Sequence, residues 1–291
     1  MVSRKIMIFV FSILIAGAVF AEEPPAQMEP AKVLSTMIGF IQPNEKAPDV
    51  PLIKSGDRVS FVGDSITAYG GYVRIAAFVL KTGYPEIRLP EFVKSGTSGA
   101  KAEDLAPRFE KDSQLAQNPK WVFLSVGMND VLHRQANTPA VLETYRKNVT
   151  DMVDKAQAAG AKVILLTPTV VEENPPSDRN KRLAEFANVM KEIATAKNCG
   201  VVDLHAIFLE AIAKKPAGLK LTKDGIHMNL YGDTLMAIGV LRALGVPDSK
   251  IASIDPSSGI KFSMTMPIGE AASKLKVPVS QLMNIHDAVI F

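Results

Sequence analysis

The chain has 291 residues, 47% hydrophobic and 22% charged, enough for one sizeable core and too mixed for a disordered or fibrous protein. Its formal charge of +3 drops to +1 once Arg4 and Lys5, which sit in a leader-like segment, are set aside, so there is no electrostatic footprint for nucleic acid. A single cysteine, Cys199, excludes an internal disulfide.

At the N-terminus Arg4 and Lys5 precede an apolar run from Ile6 to Phe20, and Val19-Phe20-Ala21 offers small residues for cleavage before Glu22. This is the pattern of a secretory signal peptide over 1–21. The run of 15 residues falls short of the roughly 18 a spanning helix needs, so no stable membrane insertion is expected after cleavage. No cysteine stands at the new N-terminus to take a lipid, which points to a secreted or periplasmic protein.

Residues 22–57 carry six prolines and suit a linker, with one short helix at Ala31 to Ile41. From Arg58 onward strand-like and helix-like runs alternate. Strands are predicted at 58–62, 87–94, 120–126, 162–167 and 200–204, and helices at 71–82, 101–115, 138–159, 178–197 and 231–244. Val141, Tyr145, Val149, Met152 and Ala156 follow helical spacing, and Gly160 suits a C-terminal stop. Val163 to Leu166 is continuously apolar, as in a strand covered on both faces. The alternation predicts an α/β fold over 58–245: a three-layer, flavodoxin-like, doubly wound parallel sheet of five strands in the order 2-1-3-4-5. Residues 246–291 form a C-terminal extension, with a strand-like Phe262 to Met266 followed by two short helix-like segments.

Ligands of such sheets bind at the carboxyl ends of the strands. There the chain places four short motifs. Gly63-Asp64-Ser65 puts a serine where strand turns to helix. Ser98-Gly99 and Gly127-Met128-Asn129-Asp130 follow later strands, and Asp224-Gly225-Ile226-His227 sets a carboxylate and an imidazole three residues apart. A serine hydroxyl is a poor nucleophile until a base takes its proton, and the base needs a partner to orient it. Each motif alone is ordinary turn chemistry. Their joint occurrence in this order marks an acyl-transfer site.

On these residues the chain resembles the SGNH hydrolase (GDSL esterase/lipase) family over about 58–245. The resemblance implies Ser65 as nucleophile with Asp224 and His227 completing the triad. It implies an oxyanion hole from Ser65, Gly99 and Asn129, and no cofactor or metal. One departure stands out: where the family often opens its second block with asparagine, this chain has Lys94 or Ser95. Asp64, beside the nucleophile, is expected to brace the turn.

The second glycine of the α/β-hydrolase elbow is missing after Ser65, and no dinucleotide or phosphate-binding glycine pattern occurs. His133, His205 and His286 lack zinc spacing, although His133 lies close enough to Asp130 to line the pocket. Only Val170–Arg179 and His133–Pro139 are placed to overhang the site, and neither is apolar enough for a lipase lid. The expected substrate is therefore a short-acyl, acetyl ester of a carbohydrate, a small molecule or glycan. The alternatives are long-chain lysophospholipase or thioesterase activity, acyl transfer to an alcohol, and a non-catalytic glycan-binding role on the same fold.

Overall fold

The computed structural model describes residues 30–44 and 51–256. The expected leader at 1–21, the strand expected over 262–266, the segments after it and His286 lie outside them. Five parallel strands form one sheet in the order β2-β1-β3-β4-β5. They are β1 (Val59–Gly63), β2 (Val93–Gly96), β3 (Trp121–Ser125), β4 (Lys162–Leu166) and β5 (Gly200–Val202). Every residue of β1 and β3 is buried, as the central strands of a sheet covered on both faces require. Phe61 of β1 stacks on its register partner Phe123 at 4.7 Å and meets Tyr72 edge-on at 5.7 Å.

The helices are α1 (Val33–Gly39), α2 (Ser65–Tyr69), α3 (Gly71–Gly83), α4 (Ala102–Leu105), α5 (Phe109–Asp112) and α6 (Met128–Leu132). They continue with α7 (Pro139–Ala158), α8 (Asp178–Ala196), α9 (Leu204–Lys214), α10 (Leu230–Ala243) and α11 (Asp248–Ala252). One helical group gathers α3 and α10 with α1 and α11, and the other pairs α7 with α8 and α4. The long helices start on side-chain caps: Thr138 accepts from Val141 N, Ser177 from Asn180 N, and Asn229 from Tyr231 N and Gly232 N.

Four predictions shift. The strand expected over 87–94 begins only at Val93, because Pro90 lacks a ladder donor. The helix expected over 101–115 breaks into α4, a 3₁₀ turn at Ala106–Arg108 containing Pro107, and α5. The strand expected over 200–204 stops at Val202. From there the unpredicted α9 begins, capped by the Asp203 carboxylate on Ala206 N and burying Leu204, Phe208 and Ala211. Finally, the segment ahead of β1 carries more than linker contacts. Val33, Leu34 and Met37 of α1 are buried against α10, and Ile41 and Ile53 join the same core. Arg242 also donates to Gln42 O at 2.9 Å, across 200 positions of sequence, and Asp248 accepts from Asn44 N at 3.0 Å. At the other end Val246, Ile251 and Ile254 are buried, so the packed unit continues past residue 245.

Candidate active site

Three of the four motifs sit directly after strands. Ser65 follows β1 as the first residue of α2, Gly99 follows β2, and Asn129 follows β3 near the start of α6. That brings them to one sheet edge around β1, where the winding direction reverses. The approach of α2 to the sheet depends on two glycines paired in register, Gly63 and Gly96. A Cβ on Gly96 would lie 2.0 Å from Ala68 N and 2.6 Å from Asp64 O. One on Gly63 would lie 2.5 Å from Ser125 O. Any side chain at either place would push α2 off the sheet.

Asp64 is buried and caps α2, its Oδ1 accepting from Ile66 N at 3.0 Å. This is the bracing role expected of it. Burial raises its carboxyl to about 7, against the opposing pull of the Ile66 hydrogen bond and the nearby His227. Lys94, the departure from the family pattern, holds the far end of the same helix: its Nζ donates to Ala68 O at 2.7 Å.

The Gly-x-Asn-Asp motif fastens one loop to another. Asn129 Nδ2 donates to Ala100 O at 3.1 Å, and Asp130 Oδ2 accepts from Ala102 N at 3.2 Å. Both side chains thus grip the connection that carries Gly99, which is exposed with φ of +76°. Burial lifts the Asp130 carboxyl to about 6, opposed by the Ala102 hydrogen bond and Arg134. The clamping role of Asp130 is not visible in the sequence.

Asp224 and His227 lie between α9 and α10. Asp224 Oδ1 accepts from Ile226 N at 2.9 Å and His227 N at 2.7 Å, which leaves Oδ2 for the imidazole Nδ1 at 2.7 Å. The other ring nitrogen, Nε2, stands 2.8 Å from Ser65 Oγ. Nδ1–H therefore donates to the carboxylate and Nε2 is left to accept the serine proton. Burial works to raise the Asp224 carboxyl, but the hydrogen bonds from His227 and from the backbone outweigh it and hold it below the usual range. Ser65 and Asn129 are buried, whereas Gly99 and Asp224 are exposed, so the site opens to solvent on one side. Sequence reasoning passed over Tyr69, one helical turn after Ser65, whose ring meets His227 edge-to-face at 4.9 Å with Lys223 Nζ over it at 5.5 Å.

Near the same edge lies an open groove of about 420 Å³ lined by Val131, His133, Arg134, Gln135, Arg179 and Arg182. His133 is thus a groove residue, whereas His205 is a buried helix residue whose Nδ1 lies 2.9 Å from Thr169 O. Among the described residues no group of three or more His, Cys, Asp or Glu side chains gathers as a metal site. None of their helices is long and apolar enough to cross a membrane.

Comparison with known proteins gives consistent matches. Residues 61–235 match the model of the GDSL-like Lipase/Acylhydrolase family. An acetylxylan esterase from Geobacillus stearothermophilus is 31% identical over 214 residues, which cover 66% of this chain and 96% of that protein. The crystal structure of a catalytic mutant of that esterase superposes with a TM-score of 0.61 at 29% identity, over 67% of this chain and 97% of the other. An enzyme called LAE5, from the metagenome of Lake Arreo, Spain, gives a TM-score of 0.61 at 27% identity, over 68% and 99% of the two chains.

Proposed function

Because the chain belongs to the GDSL-like lipase/acylhydrolase family and is a serine ester hydrolase, we propose that it removes acetyl groups from carbohydrate esters through Ser65, His227 and Asp224. The observation that carries this reading is the continuous relay from Ser65 Oγ through both imidazole nitrogens to Asp224 Oδ2, at 2.8 and 2.7 Å. Its chemistry follows from the geometry. Ser65 Oγ attacks the ester carbonyl as Nε2 takes its proton, and Asp224 stabilises the imidazolium. The tetrahedral intermediate collapses with loss of the sugar alcohol, which receives that proton. Water then repeats the sequence on the acetyl-serine and releases acetate.

The developing oxyanion is bound by the N–H groups of Ser65 and Gly99 and by Asn129 Nδ2. That amide has two hydrogens, and Ala100 O takes only one. A sugar acetate suits the polar, arginine-lined groove beside the site, and the acetylxylan esterase relatives support the same substrate class. The leader-like residues 1–21 support a reaction outside the cytoplasm.

The test is a p-nitrophenyl ester series from acetate to palmitate, combined with acetate release from acetylated xylan. Acetate should be preferred, Ser65→Ala should abolish turnover while melting like the parent, and a chelator should leave the rate unchanged. Preference for eight carbons or more would overturn the acetyl assignment. Full activity in Ser65→Ala would overturn the mechanism.

A further inference from the structure

Ser65, Gly99 and Asn129 are placed by the strands they follow. Asp224 and His227 follow no strand: they lie in the long connection from Lys215 to Asn229. Part of that loop's order is internal, with Thr222 and Met228 bridged and Lys223 N donating to His227 O at 2.8 Å. Such contacts shape the loop without fixing it to the sheet. Leu219, Leu221 and Met228 bury one side of the loop in the core, and Asn229 ties it to α10. The polar ties across from the β4 side set its register with Ser65.

We infer that Glu173, in the loop between β4 and α8, is a positioning residue that latches the Asp224–His227 loop in register with Ser65. Its carboxylate is 4% exposed and points under the loop. Oε1 accepts from Leu221 N at 2.7 Å, Thr222 N at 3.1 Å and Thr222 Oγ1 at 3.0 Å, and Oε2 pairs with Lys215 Nζ at 3.1 Å. Lys215 in turn donates to Leu219 O, so the ion pair binds the first turn of the connection as well. A second tie runs through the backbone, where Glu172 N donates to Gly225 O at 2.6 Å, one residue beyond Asp224. Burial acts to raise the Glu173 carboxyl, but the bonds from Leu221, Lys215 and Thr222 together hold it below the usual range.

The β4 loop adopts an unfavourable backbone to make these ties. Glu172 and Glu173 are consecutive non-glycine residues in the left-handed region, with φ of +57° and +48°. Such a backbone is costly for a residue with a side chain and persists only where the surroundings over-determine it. Asn180 supplies that constraint from α8, its Oδ1 accepting from Val171 N and its Nδ2 donating to Val171 O and Asn174 O. The reversal lets Glu173 turn inward while Glu172 faces Arg179 and solvent. Gly225 completes the fit: its φ is +89° and an added Cβ would come within 3.2 Å of Glu172.

This inference rests on the esterase reading, and the experiment separates the two. Labelling of Ser65 by a fluorophosphonate and the kcat and KM for p-nitrophenyl acetate are measured in the full chain and in Glu173→Ala, Glu173→Gln and Thr222→Val. A misplacement of about 1 Å costs roughly 100-fold in rate. Glu173→Ala should therefore lower kcat and the labelling rate together by about 10- to 100-fold with KM within twofold. Glu173→Gln keeps an acceptor for the Leu221 and Thr222 donors and should recover most of the loss. Thr222→Val, losing one of three donors, should fall about threefold, and Asp178→Asn on the exposed start of α8 should match the parent. Should Glu173→Ala not fold, Thr222→Val decides the matter by the same readouts. Parent-like kcat in Glu173→Ala, or in Thr222→Val if Glu173→Ala does not fold, overturns the latch, as does a loss in KM alone. Failure of the parent itself to label overturns the esterase reading.

Discussion

Asp64 lies beside the nucleophile, capping α2 from a fully buried position, and its replacement by asparagine has a calculable effect. The folded-state value is raised to about 7 from an ordinary 3.8. A carboxyl raised on folding binds its proton more tightly in the native state, so stability falls as pH rises between those two values and is flat above them. The penalty from Asp64 is about 2 kcal/mol at pH 5 and about 4 kcal/mol at pH 8, at 1.36 kcal/mol per pKa unit. Asparagine keeps an oxygen to accept from Ile66 N and cannot ionise. Asp64→Asn should therefore gain stability, and gain about 2 kcal/mol more at pH 8 than at pH 5. Urea unfolding of both proteins at the two pH values reads this directly. An equal gain at both, or a larger one at pH 5, would refute the assignment of a burial-raised carboxyl.

Asn129→Ala should lower kcat on p-nitrophenyl acetate about 100- to 1000-fold with little change in KM, as expected for a donor used mainly in the transition state; a rate within fivefold of the parent removes Asn129 from the oxyanion hole. Gly96→Ala places its Cβ 2.0 Å from Ala68 N. It should cost about 2–3 kcal/mol in urea unfolding and slow fluorophosphonate labelling of Ser65, because α2 must move. Leu34→Ala, at a fully buried position of α1, should cost about 2–5 kcal/mol, whereas a mere tether would lose almost nothing.

The sheet and three of the four site elements were legible because a parallel sheet converts sequence order into place. Once β1, β2 and β3 are recognised, the turns after them must share an edge, and Ser65, Gly99 and Asn129 come with them. Asp224 and His227 were legible as a pair from their spacing, but nothing local says where a connection without a preceding strand is held. Glu173 was hidden for a related reason. In Glu172-Glu173-Asn174-Pro175-Pro176 the composition is that of an exposed turn, and only the left-handed backbone decides which carboxylate turns inward. By contrast α9 could have been found. Asp203 is a capping residue, and Leu204, Phe208 and Ala211 recur at helical spacing, but the apolar run from Gly200 reads as strand through Leu204. The apolar face of α1 was visible too, yet its partner α10 lies so far along the chain that no local pattern reveals the contact.

That distance has a consequence for how the molecule is made. The segment around α1 emerges early in synthesis, but its partners, Arg242 on α10 and Asp248 on α11, come some 200 positions later. Closing a loop of that length costs about 5 kcal/mol in chain entropy, by (3/2)RT ln n. The contact is therefore unprofitable until the sheet and α10 stand ready to receive it. By this reckoning the stretch around α1 stays unengaged while the rest is being synthesised. Docking of α1 then comes late in assembly, and a protein truncated before α10 would leave Val33, Leu34 and Met37 exposed to proteases.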